Sequence, residues 1–198
     1  TSKMNKNTLA IFGGNKTISY EFDRYNSIGI EEEQAVIKVI KSGVLSKFIG
    51  AKHPDFSGGP KVKEFEASWA KYFNVKHAVT VNSWTSGLVA AVGAIGIEPG
   101  DEVIVTPWTM CASATAILNW NAIPVFADID ERTYNIDPKS IRKNISKYTR
   151  AIMTVDIFGQ SADMDEISEI ASEYDLKVIS DAAQAPHAIY KDKFAGTL

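Results

Sequence analysis

From residue 77 to residue 180 the chain alternates between two kinds of segment. Short apolar runs rich in β-branched residues fall at 77–81, 102–106, 123–127, 151–155 and 176–180. Between them, 85–95, 111–120, 138–145 and 163–173 read as helices. Runs that are apolar throughout are strands buried on both faces. Strands separated by helices form βαβ units, and right-handed crossovers then build a parallel sheet. The order of segments therefore predicts an α/β fold, a mostly parallel sheet flanked by helices. At 198 residues the chain is long enough to bury a real core.

Composition removes several classes of function. The net charge is −3, so there is no basic footprint for nucleic acid. Cys111 is the only cysteine, which excludes an internal disulfide and a thiolate metal cluster. Three scattered histidines have no metal-ligand spacing, so no metal site is expected. There is no apolar run of transmembrane length and no signal-peptide pattern at the start. The expected location is the cytoplasm, with no membrane partner.

Residues 1–30 are irregular and read as an N-terminal arm that packs on a partner or on a later domain. A helix is expected over 31–41, with Ala35, Val36, Val39 and Ile40 at helical spacing and Gly43 as its stop. Residues 47–59 form a long polar loop rich in Gly and Ser. Pro60 then opens a helix whose Val62, Phe65, Trp69 and Phe73 share one face. No terminating element is visible over 191–198, so 31–198 reads as the first part of a larger domain, its sheet unfinished.

Three stretches carry candidate chemistry. In Val178-Ile179-Ser180-Asp181-Ala182-Ala183-Gln184-Ala185-Pro186-His187 a strand ends in an acid followed by small residues. Ligands of open α/β sheets bind at such strand ends. A buried carboxylate needs a cation or hydrogen-bond donors. The protonated ring nitrogen of pyridoxal phosphate is one such cation, and capping of the next segment is the other use of Asp181. In Asn82-Ser83-Trp84-Thr85-Ser86-Gly87 small hydroxyl residues stand at a helix start, which suits either an anion site or simple N-capping by Ser83 or Thr85. After the third stretch, Gly100 to Val105, Trp108 and Met110 follow a strand end. Either could cover a flat ring, or both could be core packing.

Together these stretches resemble the pyridoxal-phosphate sugar aminotransferases, the DegT/DnrJ/EryC1/StrS family of aspartate aminotransferase-like fold (fold type I). The resemblance spans about residues 25–198. It rests on Gly100-Asp101-Glu102-Val103-Ile104-Val105, Pro124-Val125-Phe126-Ala127-Asp128-Ile129-Asp130 and Tyr134-Asn135-Ile136-Asp137-Pro138. Phe158-Gly159-Gln160 with Asp163-Met164-Asp165, and Asp181-Ala182-Ala183-Gln184-Ala185, complete the ordered set.

The resemblance implies a role for each site residue. Asp181 would bind the pyridinium nitrogen and keep it protonated. Gln184 would hydrogen-bond the ring's 3-oxygen, and Thr85 and Ser86 would hold the phosphate. Met110 stands where the family usually has an aromatic residue stacked on the ring. Its thioether can still contact a ring, and Trp108 could compensate. Asp156 falls where some members carry a His near the cofactor, and its role is open. The family's cofactor-anchoring lysine would lie beyond Leu198. Lys177, Lys191 and Lys193 read as solvated.

The implied activity is transfer of an amino group from an amino acid, glutamate, to a ketosugar. The acceptor would be nucleotide-linked or a higher keto-sugar acid, for surface polysaccharide or natural-product sugars. Two alternatives stand beside it: a sugar dehydratase of the same family, in which His replaces the lysine, and a non-catalytic cofactor-binding domain. The family also implies a homodimer in which 43–59 lies near the partner's cofactor.

Overall fold

The computed structural model describes residues 8–198, so the first seven residues of the expected arm lie outside it. The chain divides into two compact units, Thr1–Gly59 and Pro60–Leu198.

In the first unit a short 3-10 turn, Ala10–Phe12, ends at Gly13, whose left-handed φ of 89° stops it. Helix α1 is Ile30–Ser42. Three glutamates in its first turn and Lys41 in its last complement the helix dipole. Glu32 also accepts the Gly29 N–H at 2.8 Å. The helix stops at Gly43 in the left-handed conformation, as its sequence position suggests.

The second unit opens with α2, Pro60–Tyr72. Its aromatic row stacks along the helix, Phe65 on Trp69 at 5.5 Å and Trp69 on Phe73 at 4.6 Å. Only Phe73 of that row is buried. The elements that follow are α3 (Trp84–Ala94), β1 (Glu102–Val105), α4 (Cys111–Leu118), β2 (Ile123–Phe126) and α5 (Pro138–Asn144). Then come β3 (Thr149–Val155), α6 (Met164–Glu173) and β4 (Lys177–Asp181).

The four strands form one parallel sheet in the order β2-β1-β3-β4. Pro124, which cannot donate to a ladder, sits in the edge strand β2. The central strands divide their side chains between two cores. Val103, Val105, Ala151, Met153 and Ile179 pack with Leu88 and Val92 of α3 and Ala116 and Ile117 of α4. Ile104 and Ile152 face the other way, onto Ile141 of α5 and Met164, Ile167 and Ile170 of α6. Successive strand residues thus enter opposite cores, which is why the strands read as unbroken apolar runs.

This arrangement positions the site. The chain leaves β1 for α4 on one face and leaves β3 for α6 on the other. Neighbouring strands whose connections diverge in this way open a crevice at their carboxyl ends, where ligands of open α/β sheets bind.

Two expectations need correction. Residues 77–81 form no strand. A strand needs a ladder partner, and among the described residues none pairs with this segment. Instead the Thr80 N–H and hydroxyl both donate to Glu66 of α2, each at 2.8 Å. The end of the chain is also not featureless. Strands β5 (Ile189–Tyr190) and β6 (Lys193–Phe194) form an antiparallel hairpin. Lys191 and Asp192 both take positive φ at its turn, the geometry that matches hairpin twist. Tyr190 ties the hairpin to α6 by donating its hydroxyl to Asp163 at 2.7 Å, and Lys191 pairs with Asp165.

Candidate active site

Asp181 is the last residue of β4 and is buried. Period two along the strand puts it on the same face as Ile179, the face covered by α3 and α4. Three donors reach its carboxylate. The Ser113 hydroxyl of α4 donates to Oδ2 at 2.8 Å, and Ser113 is fully buried. The Trp84 indole N–H at the start of α3 donates to Oδ1 at 2.6 Å, and the Ala183 N–H reaches the same oxygen at 3.3 Å. Thr109 extends the set, its hydroxyl 2.8 Å from that of Ser113. Among the described residues no cationic side chain pairs with Asp181.

The start of α3 stands beside this acid. Ser83 is the N-cap, its hydroxyl accepting the Ser86 N–H at 3.2 Å. Thr85 does not cap, so of the two capping candidates the helix uses Ser83. A single side-chain cap satisfies one of the donors that open a helix, and the others face outward. Thr85 is exposed on the first turn and Ser86 is half-buried, its hydroxyl 3.1 Å from that of Ser83.

Gln184 follows on the loop after β4. Its Oε1 accepts the Phe158 N–H at 3.0 Å. That bond engages the amide oxygen and leaves the NH2 group as the donor. Phe158 reaches it from the 3-10 turn Ile157–Gly159, where it adopts a left-handed φ of 54°. Met110 caps α4 and is exposed, as is Trp108, whose ring lies 6.0 Å from that of Tyr134. Neither belongs to the buried core of the described residues.

Asp156, one residue past β3, is 1% exposed. It lies on the α6 side of the sheet, in step with Ile152 and Thr154. Its Oδ1 accepts the Ala162 N–H at 2.9 Å and its Oδ2 the Ser180 hydroxyl at 3.1 Å. Burial raises its carboxyl above the usual range, these donors oppose the rise, and the nearby Asp181 charge adds to it. Its bond to the Ala162 N–H closes the turn from 156 to 162.

Asp181 and the start of α3 meet at the carboxyl end of the sheet. A cavity of about 540 Å³ lies elsewhere, lined by residues including Asp130, Arg132, Gln160, Asp163 and Tyr190, and none of the candidate site residues lines it. Sequence reasoning missed Trp84, Ser113 and Thr109. Ser113 and Trp84 lie 68 and 97 positions from Asp181, so only the fold reveals those pairings.

Residues 27–198 match the sequence profile of the DegT/DnrJ/EryC1/StrS aminotransferase family. The chain belongs to that family. It is 44% identical over 171 residues to the spore coat polysaccharide biosynthesis protein SpsC of Bacillus subtilis, covering 86% of this chain and 41% of that protein. It is 38% identical over 166 residues to the UDP-2-acetamido-2-deoxy-3-oxo-D-glucuronate aminotransferase of Pseudomonas aeruginosa, covering 84% and 46%. An aminotransferase structure from Psychrobacter cryohalolentis superposes with a TM-score of 0.78 at 36% identity, covering 86% of this chain and 41% of that one. The E. coli GDP-4-keto-6-deoxy-D-mannose-3-dehydratase, solved with bound hydrated PLP, superposes at 0.76 with 26% identity, covering 87% and 43%. The chain thus spans less than half the length of these relatives, and its fold is the fold type I architecture of the family. The donor set fits the family's cofactor. A buried acid without a cationic partner suits a protonated ring nitrogen, and a helix start with two hydroxyl residues suits a phosphate.

Proposed function

We propose that the intact protein is a pyridoxal-phosphate-dependent aminotransferase that moves an amino group from glutamate to a ketosugar. The acceptor is nucleotide-linked or a higher keto-sugar acid, and the product serves surface polysaccharide or natural-product sugars. The observation that carries this reading is the buried Asp181 carboxylate at a strand end beside the start of α3. When bound, the cofactor supplies a ring that accepts electron density from the carbon being deprotonated.

The chain's own residues have distinct tasks in this reading. Asp181 holds the proton on the ring nitrogen, and Ser113 fixes the orientation of its carboxylate. The Gln184 NH2 donates to the 3-oxygen while its carbonyl is held by Phe158. Thr85, Ser86 and the amides around them hold the phosphate. Met110 and Trp108, both exposed, cover the ring face. Residues 1–30 serve as the arm and 31–198 as the first part of the cofactor-binding large domain.

The reading includes a cytoplasmic homodimer in which 43–59 contributes to the partner's site. Exposed Leu45, Phe48 and Phe56 in that loop support it. No helix among the described residues is long and apolar enough to cross a membrane. The test of function is to mix the intact protein, loaded with pyridoxal phosphate, with glutamate. Conversion of the cofactor to its amine form, seen by absorbance, followed by amination of an added ketosugar, is expected. Loss of a hydroxyl from the sugar without amination would favour the second reading, a dehydratase, which the likeness to the E. coli enzyme motivates.

A further inference from the structure

Asp181 is held from two sides, and the sides differ. Ser113 donates to Oδ2 from a fully buried position in α4. Trp84, a residue that is 45% exposed, donates to Oδ1. Of the side chains bonded to this carboxylate, the indole is therefore the one that stands between it and solvent. Gly87 makes room for that indole. A Cβ at Gly87 would fall 2.6 Å from Trp84 Cε3 and 2.8 Å from Cζ3. Trp84 is also flanked by the N-cap Ser83 and by Thr85, so its backbone belongs to the helix start while its indole N–H reaches the acid.

From this geometry we infer that Trp84 is an exchangeable positioning residue. In the cofactor-free protein its indole N–H satisfies and orients the Asp181 carboxylate. A ring nitrogen arriving from solvent takes over that acceptor, and the indole swings aside. The inference rests on the cofactor reading above. Its physical basis is that without the indole the Oδ1 of this buried carboxylate keeps only the Ala183 N–H at 3.3 Å, and an under-satisfied buried charge is costly.

The test uses intact protein and pyridoxamine phosphate, which binds without a covalent bond. Binding is measured by equilibrium dialysis and melting is followed with and without saturating ligand, for wild type and Trp84→Phe. The exchange requires that Trp84→Phe bind the ligand about tenfold more tightly, since the donor it removes competes with the ligand. The variant should melt below wild type without ligand and level with it when saturated. Gly87→Ala, which keeps the indole but pushes it off its seat, should shift affinity in the same direction and decides the matter if Trp84→Phe does not fold. Unchanged or weaker binding in both variants, or an equal fall in melting temperature with and without ligand, overturns the exchange and leaves the cofactor reading standing. Wild type that binds no pyridoxamine phosphate overturns both.

Discussion

Asp156 and Asp181 end neighbouring strands of the same sheet, are both buried, and have different fates. The Asp156 N–H even donates to the Asp181 carbonyl, at 3.0 Å, extending the ladder. Yet Asp156 points to the α6 side and finds its donors in a backbone amide and in Ser180 of the adjacent strand. Asp181 points to the α3 and α4 side, where one of its donors is a half-exposed indole. The lesson is that burial alone does not mark a functional acid. In the proposed reading, what separates the two is whether a donor can be exchanged for a ligand.

Substitutions can break or sharpen this contrast. Asp181→Asn should fold normally by circular dichroism and lower transamination on the order of a thousandfold, since the ring nitrogen loses its charged partner. Wild-type turnover in that variant would remove Asp181 from the site. A matched pair comes next. Ser113→Ala, which frees Oδ2 of Asp181, should reduce turnover roughly tenfold or more, as loss of a hydrogen bond to a charged group does. Ser180→Ala, which frees Oδ2 of Asp156, should leave turnover within about twofold and cost about 1 kcal/mol of stability in urea melts. Equal losses of turnover in the pair would erase the contrast. Thr85→Val should weaken cofactor binding by about fivefold in dialysis and no more, because the helix-start amides remain.

The smallest effect concerns pH. Folding holds the Asp156 carboxyl above its ordinary 3.8, chiefly by burial. The folded protein therefore binds that proton more tightly than the unfolded chain. The stability this confers is complete below the ordinary value and is lost as pH rises through the folded-state value. Asp156→Asn should therefore gain on wild type in urea melts as pH is raised from 4 towards neutrality. A difference that stays flat with pH would mean that Asp156 titrates like an exposed acid.

Much of the second unit was legible from sequence, for identifiable reasons. Strands buried on both faces, such as β1 and β3, leave unbroken apolar runs, and Pro60 marks a helix start, as Gly43 marks a helix end in the first unit. The segment 77–81 has the same apolar look but no partner strand among the described residues, and pairing is not a local property. The hairpin at 189–194 was missed because Lys191-Asp192 is an uncommon pair for two positive φ angles. The place of Asp181 at a buried strand end was legible because an acid that closes an apolar run is conspicuous. Trp84 and Ser113 were not, because their importance lies in distant contacts and not in their neighbours.

The central claim is that the Asp181 end of the sheet, beside the start of α3, receives the cofactor. A crystal structure of the intact protein with pyridoxal phosphate tests it most directly. The expected result has the ring nitrogen roughly 3 Å from an Asp181 carboxylate oxygen and the phosphate against the amides that open α3. A ring nitrogen facing any group other than Asp181, or a phosphate further than one bridging water from the start of α3, would contradict it.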